Sequence, residues 1–239
     1  MKTSILGAAI AAALAAASLA APTPAQAAAV TLTGWAFGGG GTVASRTGGA
    51  SSMSGYSGAA GGFAGALSGA GELDTRSFVT YCIELEESFG FSNTPMTGYS
   101  VVDAASYFAQ RRLANPLRPE GAQVAERLGR LFTWVQADAT RVDSAVESTA
   151  LQLAVWNIVY DNDWSVFDTA GRYSDNSKHA PMAEAMLAAA AGTTNRLDVF
   201  ALARSGSQDF VATTLRVPAP GTLALAALAL GAALALRRR

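Results

Sequence analysis

Between residues 28 and 216 the spacing of apolar positions switches from a strand period to a helical one and back. Residues 30–37 predict a strand, with Val30, Leu32 and Ala36 on one face and Thr31, Thr33, Trp35 and Phe37 on the other. Residues 63–67 predict a second, short strand. The clearest alternation runs over 76–85: Val79, Tyr81, Ile83 and Leu85 share one face, suited to a sheet core, while Phe78, Thr80, Cys82 and Glu84 share the other. The period then lengthens. Asp103 predicts the cap of a helix reaching about Leu113 and stopped by Asn115 and Pro116. Pro119 opens a second helix, on which Val124, Leu128, Leu131, Phe132 and Val135 recur at helical spacing. Ser144 and Glu147 form a capping box for a third helix ending near Tyr160, and a fourth runs over 181–191 to Gly192. Strand-like alternation returns over 198–203 and 208–217. The predicted fold class is α+β: an antiparallel sheet, sandwich or barrel-like, with a four-helix insertion packed against it.

The two ends follow neither period. Residues 1–27 read as a secretory signal peptide, with Lys2 before an apolar stretch over 5–21 and the small residues Ala25 and Ala27 around a cleavage site. At the other end stand Val217, Pro218, Ala219 and Pro220, then an apolar segment over 221–236, then Arg237, Arg238 and Arg239. Sixteen residues of apolar helix falls slightly short of a full bilayer span, which takes about 20. The terminal arginines favour keeping that end in the cytoplasm. This order of parts resembles the PEP-CTERM sorting signal of proteins exported by Gram-negative bacteria, although Ala219 stands where that signal usually carries an acid. The resemblance implies anchoring in the inner membrane through 221–236, processing by an exosortase-type enzyme, and final residence at the cell surface or outside it. A plain single-pass anchor is the alternative.

Composition narrows the body. Residues 34–71 hold 14 of the 24 glycines and one charge, Arg46, which predicts a loose stretch over about 38–60. No GK[ST] follows, so a phosphate cradle is not supported. Lys2 and the three terminal arginines lie outside the body, leaving 13 basic against 18 acidic residues there. That balance argues against a nucleic-acid partner. One cysteine excludes an internal disulfide and multi-cysteine zinc sites, and one histidine excludes paired-histidine metal sites. No cofactor is expected, no metal ligand set is assigned, and no enzyme constellation stands out. Asp161, Asn162 and Asp163 lack the EF-hand glycine and glutamate, since Val166 and Arg172 occupy those places. His179 sits at a helix entry, with no GxSxG elbow anywhere and no local oxyanion hole for a pairing with Cys82. Trp134, Trp156 and Trp164 suit core or rim packing better than a sugar platform.

The third helix carries the anomaly. Residues 150–160 are apolar almost all round, the mark of a buried helix, yet Gln152 shares a face with Val155, Trp156 and Val159. A buried carboxamide must find partners or cost about 1–3 kcal/mol. Tyr81-Cys82-Ile83 followed by Leu151-Gln152-Leu153-Ala154-Val155-Trp156 resembles the paired motifs of bacterial thioester domains, with Leu151 where those domains carry threonine. The likeness spans about 63–165. It implies that Cys82 and Gln152 join in an internal thioester, with loss of ammonia, that captures an amine or hydroxyl on another surface. The alternative is a passive structural component of an extracellular polysaccharide or biofilm layer, with Cys82 an inert buried side chain and Gln152 bonded to backbone.

Overall fold

The computed structural model describes residues 27–47, 54–167 and 172–215. The residues of the expected sorting signal, 217–239, and residues 1–26 of the expected signal peptide lie outside them. Nine strands and four α-helices make up the described chain. The strands are β1 (Ala27–Trp35), β2 (Gly41–Thr47), β3 (Ser54–Ala60), β4 (Phe63–Ser68), β5 (Thr75–Thr80), β6 (Met96–Asp103), β7 (Tyr173–Asp175), β8 (Leu197–Ala203) and β9 (Phe210–Leu215). The helices are α1 (Ala104–Ala114), α2 (Gly121–Gln136), α3 (Ala145–Tyr160) and α4 (Ala180–Ala191), all inserted between β6 and β8.

Six strands form one antiparallel sheet in the order β5-β4-β1-β6-β8-β9. Its two outer strands come back together. Val211 N donates to Tyr81 O at 3.1 Å, Ile83 N donates to Asp209 O at 3.1 Å, and Cys82 lies opposite Phe210 in an isolated bridge. The sheet is thus a nearly closed barrel whose seam runs through Tyr81–Ile83. Closure shields two strand edges that would otherwise offer unpaired backbone groups. One bulge helps the wall curve: Ala28 pairs with Tyr99 and Ala29 with Thr97, leaving Gly98 as the extra residue at φ +86°. Tyr99 is then fully buried. The fold class expected from the pattern, antiparallel and barrel-like with four inserted helices, is the one observed.

Several local expectations change. The glycine-rich stretch over 38–60 is not simply loose: β2 and β3 pair antiparallel from Gly41–Ala60 to Thr47–Ser54, and β7 adds a third strand. Val43, Ser45 and Thr47 point inward on β2, which gives the hairpin a buried face despite its glycines. The strand expected over 76–85 stops at Thr80. Its core face is not as drawn, because Val79 is 48% exposed while Thr80, Cys82 and Glu84 are buried. The reason is the seam: beyond Thr80 the chain has left β4 and runs between β9 and the helices, so both of its faces are covered.

The helices behave more as their sequence demands. Asp103 accepts from Ser106 N at 3.0 Å to cap α1. Helix α2 begins after Glu120, two residues beyond Pro119. The capping box is formed, with Ser144 N donating to Glu147 Oε2 at 3.1 Å. From Ser148 to Tyr160 every residue of α3 is buried, so it is the central helix. Each fully buried leucine, isoleucine or valine there contributes roughly 1.5–3 kcal/mol. In the loop after α3, Asp161, Asn162 and Asp163, Arg127 Nη atoms donate to all three carbonyl oxygens, and the Asp161 carboxylate accepts from Asn162 N and Tyr173 N.

Candidate functional site

The barrel seam brings Cys82 and Gln152 together. In an antiparallel strand, successive residues turn their N–H and C=O groups to alternate edges. Tyr81 and Ile83 therefore face β9, and Cys82 turns its own N–H and C=O to the opposite edge. Strand β4 occupied that edge as far as Phe63, which pairs with Thr80, and goes no further. The vacancy is filled from α3. Cys82 N donates to Gln152 Oε1 at 2.9 Å, and Gln152 Nε2 donates to Cys82 O at 2.8 Å. The carboxamide acts as one peptide unit of a missing strand. Both partners are buried, Gln152 completely. Neighbouring bonds fix the helix against the same edge: Gly62 N donates to Ser148 Oγ at 2.7 Å, and Thr149 Oγ1 donates to Ala60 O at 2.9 Å.

Cys82 and Gln152 also line one cavity of about 200 Å³, together with Trp35, Tyr56, Phe63, Phe91 and Trp156 among others. Six aromatic side chains line it, with Phe89 the sixth. Trp35 and Phe63 lie 5.0 Å apart between ring centroids, Phe63 and Phe89 4.7 Å, and Tyr56 meets Trp156 edge-on at 5.4 Å. Burial pushes the Cys82 thiol well above its usual range, and the nearby Glu84 adds to the shift. The resting sulfur is therefore a neutral thiol.

An acidic group borders the cavity. Glu84 is buried and lines it, and there Asp209 N donates to Oε1 at 2.9 Å and Arg111 Nη2 donates to Oε2 at 2.8 Å. The same Arg111 nitrogen reaches Asp209 Oδ2 at 2.7 Å. One guanidinium thus serves two buried carboxyls. Burial, then Asp209, push Glu84 up to about 8, against the pull of Arg111. Glu84, Glu87 and Asp209 each place an oxygen within 4.8 Å of the others, a spacing that a metal ion can use. Arg111 bridges Glu84 and Asp209, and Glu87 takes part in no ion pair among the described residues.

The sequence paired Cys82 with Gln152 but gave no sign of Glu87, Gln208 or Tyr56 at the same cavity. Glu84 alone was signalled, by sharing the face of Cys82 at period two. Trp156 is at the cavity wall, while Trp134 and Trp164 lie under Arg141 and Arg127. His179 is buried beside Gly41 and Thr149. Among the described residues no helix is long and apolar enough to cross a membrane; the expected segment 221–236 lies outside them, as do Val217, Pro218, Pro220 and Arg237–Arg239. Comparison with family profiles, with curated proteins and with solved structures finds no match to this chain.

Proposed function

We propose that this chain is an exported surface or extracellular-matrix protein whose Cys82 and Gln152 form an internal thioester for covalent attachment to an amine or hydroxyl. One observation carries the reading: the Gln152 carboxamide is held against Cys82 by two hydrogen bonds, inside a cavity that both residues line. The chemistry suits that arrangement. The Cys82 sulfur adds to Gln152 Cδ, the C–N bond breaks, and ammonia leaves carrying the thiol proton. As charge builds on Oε1, the Cys82 N–H is already donating to that oxygen, in the manner of an oxyanion hole. Aromatic walls limit water and so slow hydrolysis of the product. Later attack by an amine or hydroxyl at the same carbon releases the thiol.

The partners in this proposal are an exosortase-type enzyme acting near Pro218–Pro220, the inner membrane through 221–236 before processing, and a surface nucleophile. Protein purified without amine buffers should weigh one ammonia less than its sequence and show no titratable thiol. Methylamine should then add its own mass and free one thiol. Cys82→Ala and Gln152→Ala should each abolish both effects. Full sequence mass with a titratable thiol would sink the thioester.

A second reading has its own support. The two bonds to Cys82 give each polar atom of the Gln152 carboxamide a partner, and burial raises the Cys82 thiol pKa, so the pair also suits a passive component of an extracellular polysaccharide layer. The same mass spectrum separates the two.

A further inference from the structure

Two of the residues that line the cavity beside Cys82 and Gln152 each carry a polar atom that the folded chain leaves without a partner. Trp156 Nε1 and Glu87 Oε2 are both shielded from water, and neither has a hydrogen-bond partner. Both residues line the cavity, and Trp156 is 3% exposed. A donor or acceptor left this way costs about 1–3 kcal/mol, a cost that an incoming ligand with the complementary groups would remove.

The other acids nearby are engaged. Arg111 holds Glu84 and Asp209, and Arg118 holds Glu86 at 2.8 Å. Glu87 takes part in no ion pair among the described residues. An unpaired carboxylate among aromatic rings favours a cation, and the ring faces add to that preference. The cavity volume, about 200 Å³, is below the roughly 300 Å³ at which sites for whole small molecules begin. It suits the end of an alkyl chain. Trp156 lies one helical turn beyond Gln152 on α3, so the two side chains leave the same face of the helix, and both line the cavity.

We propose that Glu87 recognises and deprotonates an alkylammonium nucleophile, and that the Trp156 N–H donates to the acyl oxygen during its attack. This assignment rests on the thioester reading above. The step balances. Glu87 takes one proton from R–NH3+, and the freed amine adds to Gln152 Cδ. The tetrahedral adduct collapses with cleavage of the C–S bond. A second proton passes from nitrogen to the Cys82 sulfur, leaving an amide and a thiol, and Glu87 releases its proton to solvent.

The test uses n-butylamine, charged at neutral pH, and hydroxylamine, which is uncharged there and needs no proton removed before attack. Rates of mass gain and thiol release are followed on the purified, amine-free protein. Glu87→Gln should slow butylamine by about 10²-fold, the scale of one general base, and leave hydroxylamine at its original rate. Glu87→Asp should recover part of the loss. Glu72→Gln, which removes the same charge from an exposed 3-10 turn, should change neither rate. Trp156→Phe should slow both nucleophiles, by about 10²-fold, because the oxygen's charge develops with either. If wild-type protein reacts with both and Glu87→Gln matches it on butylamine, the Glu87 assignment falls and the thioester stands. Equal slowing of both nucleophiles by Glu87→Gln, or absence of the ammonia deficit in that variant alone, also overturns the assignment. Full sequence mass in the wild type overturns both readings.

Discussion

At the scale of single residues, Gln152 and Cys82 contribute differently to stability, whatever their chemistry. The Gln152 amide is the partner of both backbone groups of Cys82, at 2.9 and 2.8 Å. Gln152→Ala leaves that N–H and C=O buried without partners and opens a void in the most buried helix. Each orphaned group costs about 1–3 kcal/mol, so Gln152→Ala should lose about 2–6 kcal/mol by urea denaturation. Cys82→Ala removes one sulfur and keeps both backbone bonds, so it should lose about 1 kcal/mol. Neither variant can form a thioester, so the difference between their two losses should stay the same when the common parent is first opened by amine. Equal losses in the two variants before any amine treatment would show that the paired geometry is not the source of the stability.

Among the elements, what was legible in the sequence were those that carry their own signal. Helices α1, α3 and α4 announce themselves through Asp103, the Ser144–Glu147 box and Gly192, and each is found within a residue or two of its expected bounds. The hairpin of β2 and β3 was hidden because glycine supplies little side chain to display a period. Strand β5 was overdrawn because the alternation through Glu84 is real, but its last residues pair with β9 across the seam and not in a ladder with β4. The candidate site was half legible: Cys82 and Gln152 stand out as anomalies of type, whereas Glu87 and Tyr56 reach the cavity only through tertiary packing. Glycine in this sheet has a steric reason at Gly65, where a Cβ would lie 2.1 Å from the Thr31 carbonyl oxygen on β1. Backbone cannot swing aside as a side-chain tip can. Gly65→Ala should therefore cost about 1–3 kcal/mol and split or broaden amide signals along β1 and β4. A variant as stable as the parent would show that these two strands can separate locally at no cost.

For the whole molecule, two buried titrating groups at separate places pull stability in opposite directions with pH. His179 lies under the entry of α4, and burial first, then Lys178, lower its pKa below the ordinary 6.5, with Asp175 opposing. The unfolded chain then binds more protons than the folded one as pH drops through 6.5, so stability is full above that value and declines below it. Glu84 has the reverse sign. Burial and Asp209, with Glu87 also adding and Arg111 opposing, raise it from about 4.5 to about 8. Between those values the folded chain keeps a proton that the unfolded chain has lost, so this contribution is full below about 4.5 and declines as pH rises to about 8. The two contributions oppose each other between about pH 4.5 and 6.5, and above 6.5 the Glu84 decline runs without the His179 gain. His179→Phe, close in volume, should flatten the loss of urea midpoint below pH 6.5 and leave the alkaline limb alone. Glu84→Gln keeps an oxygen for Asp209 N and should flatten the decline toward pH 8 while leaving the acid limb. A Glu84→Gln variant whose midpoint still falls between pH 6.5 and 8 as steeply as the parent's would place that proton elsewhere, and burial of Glu84 beside Asp209 would no longer explain the alkaline limb.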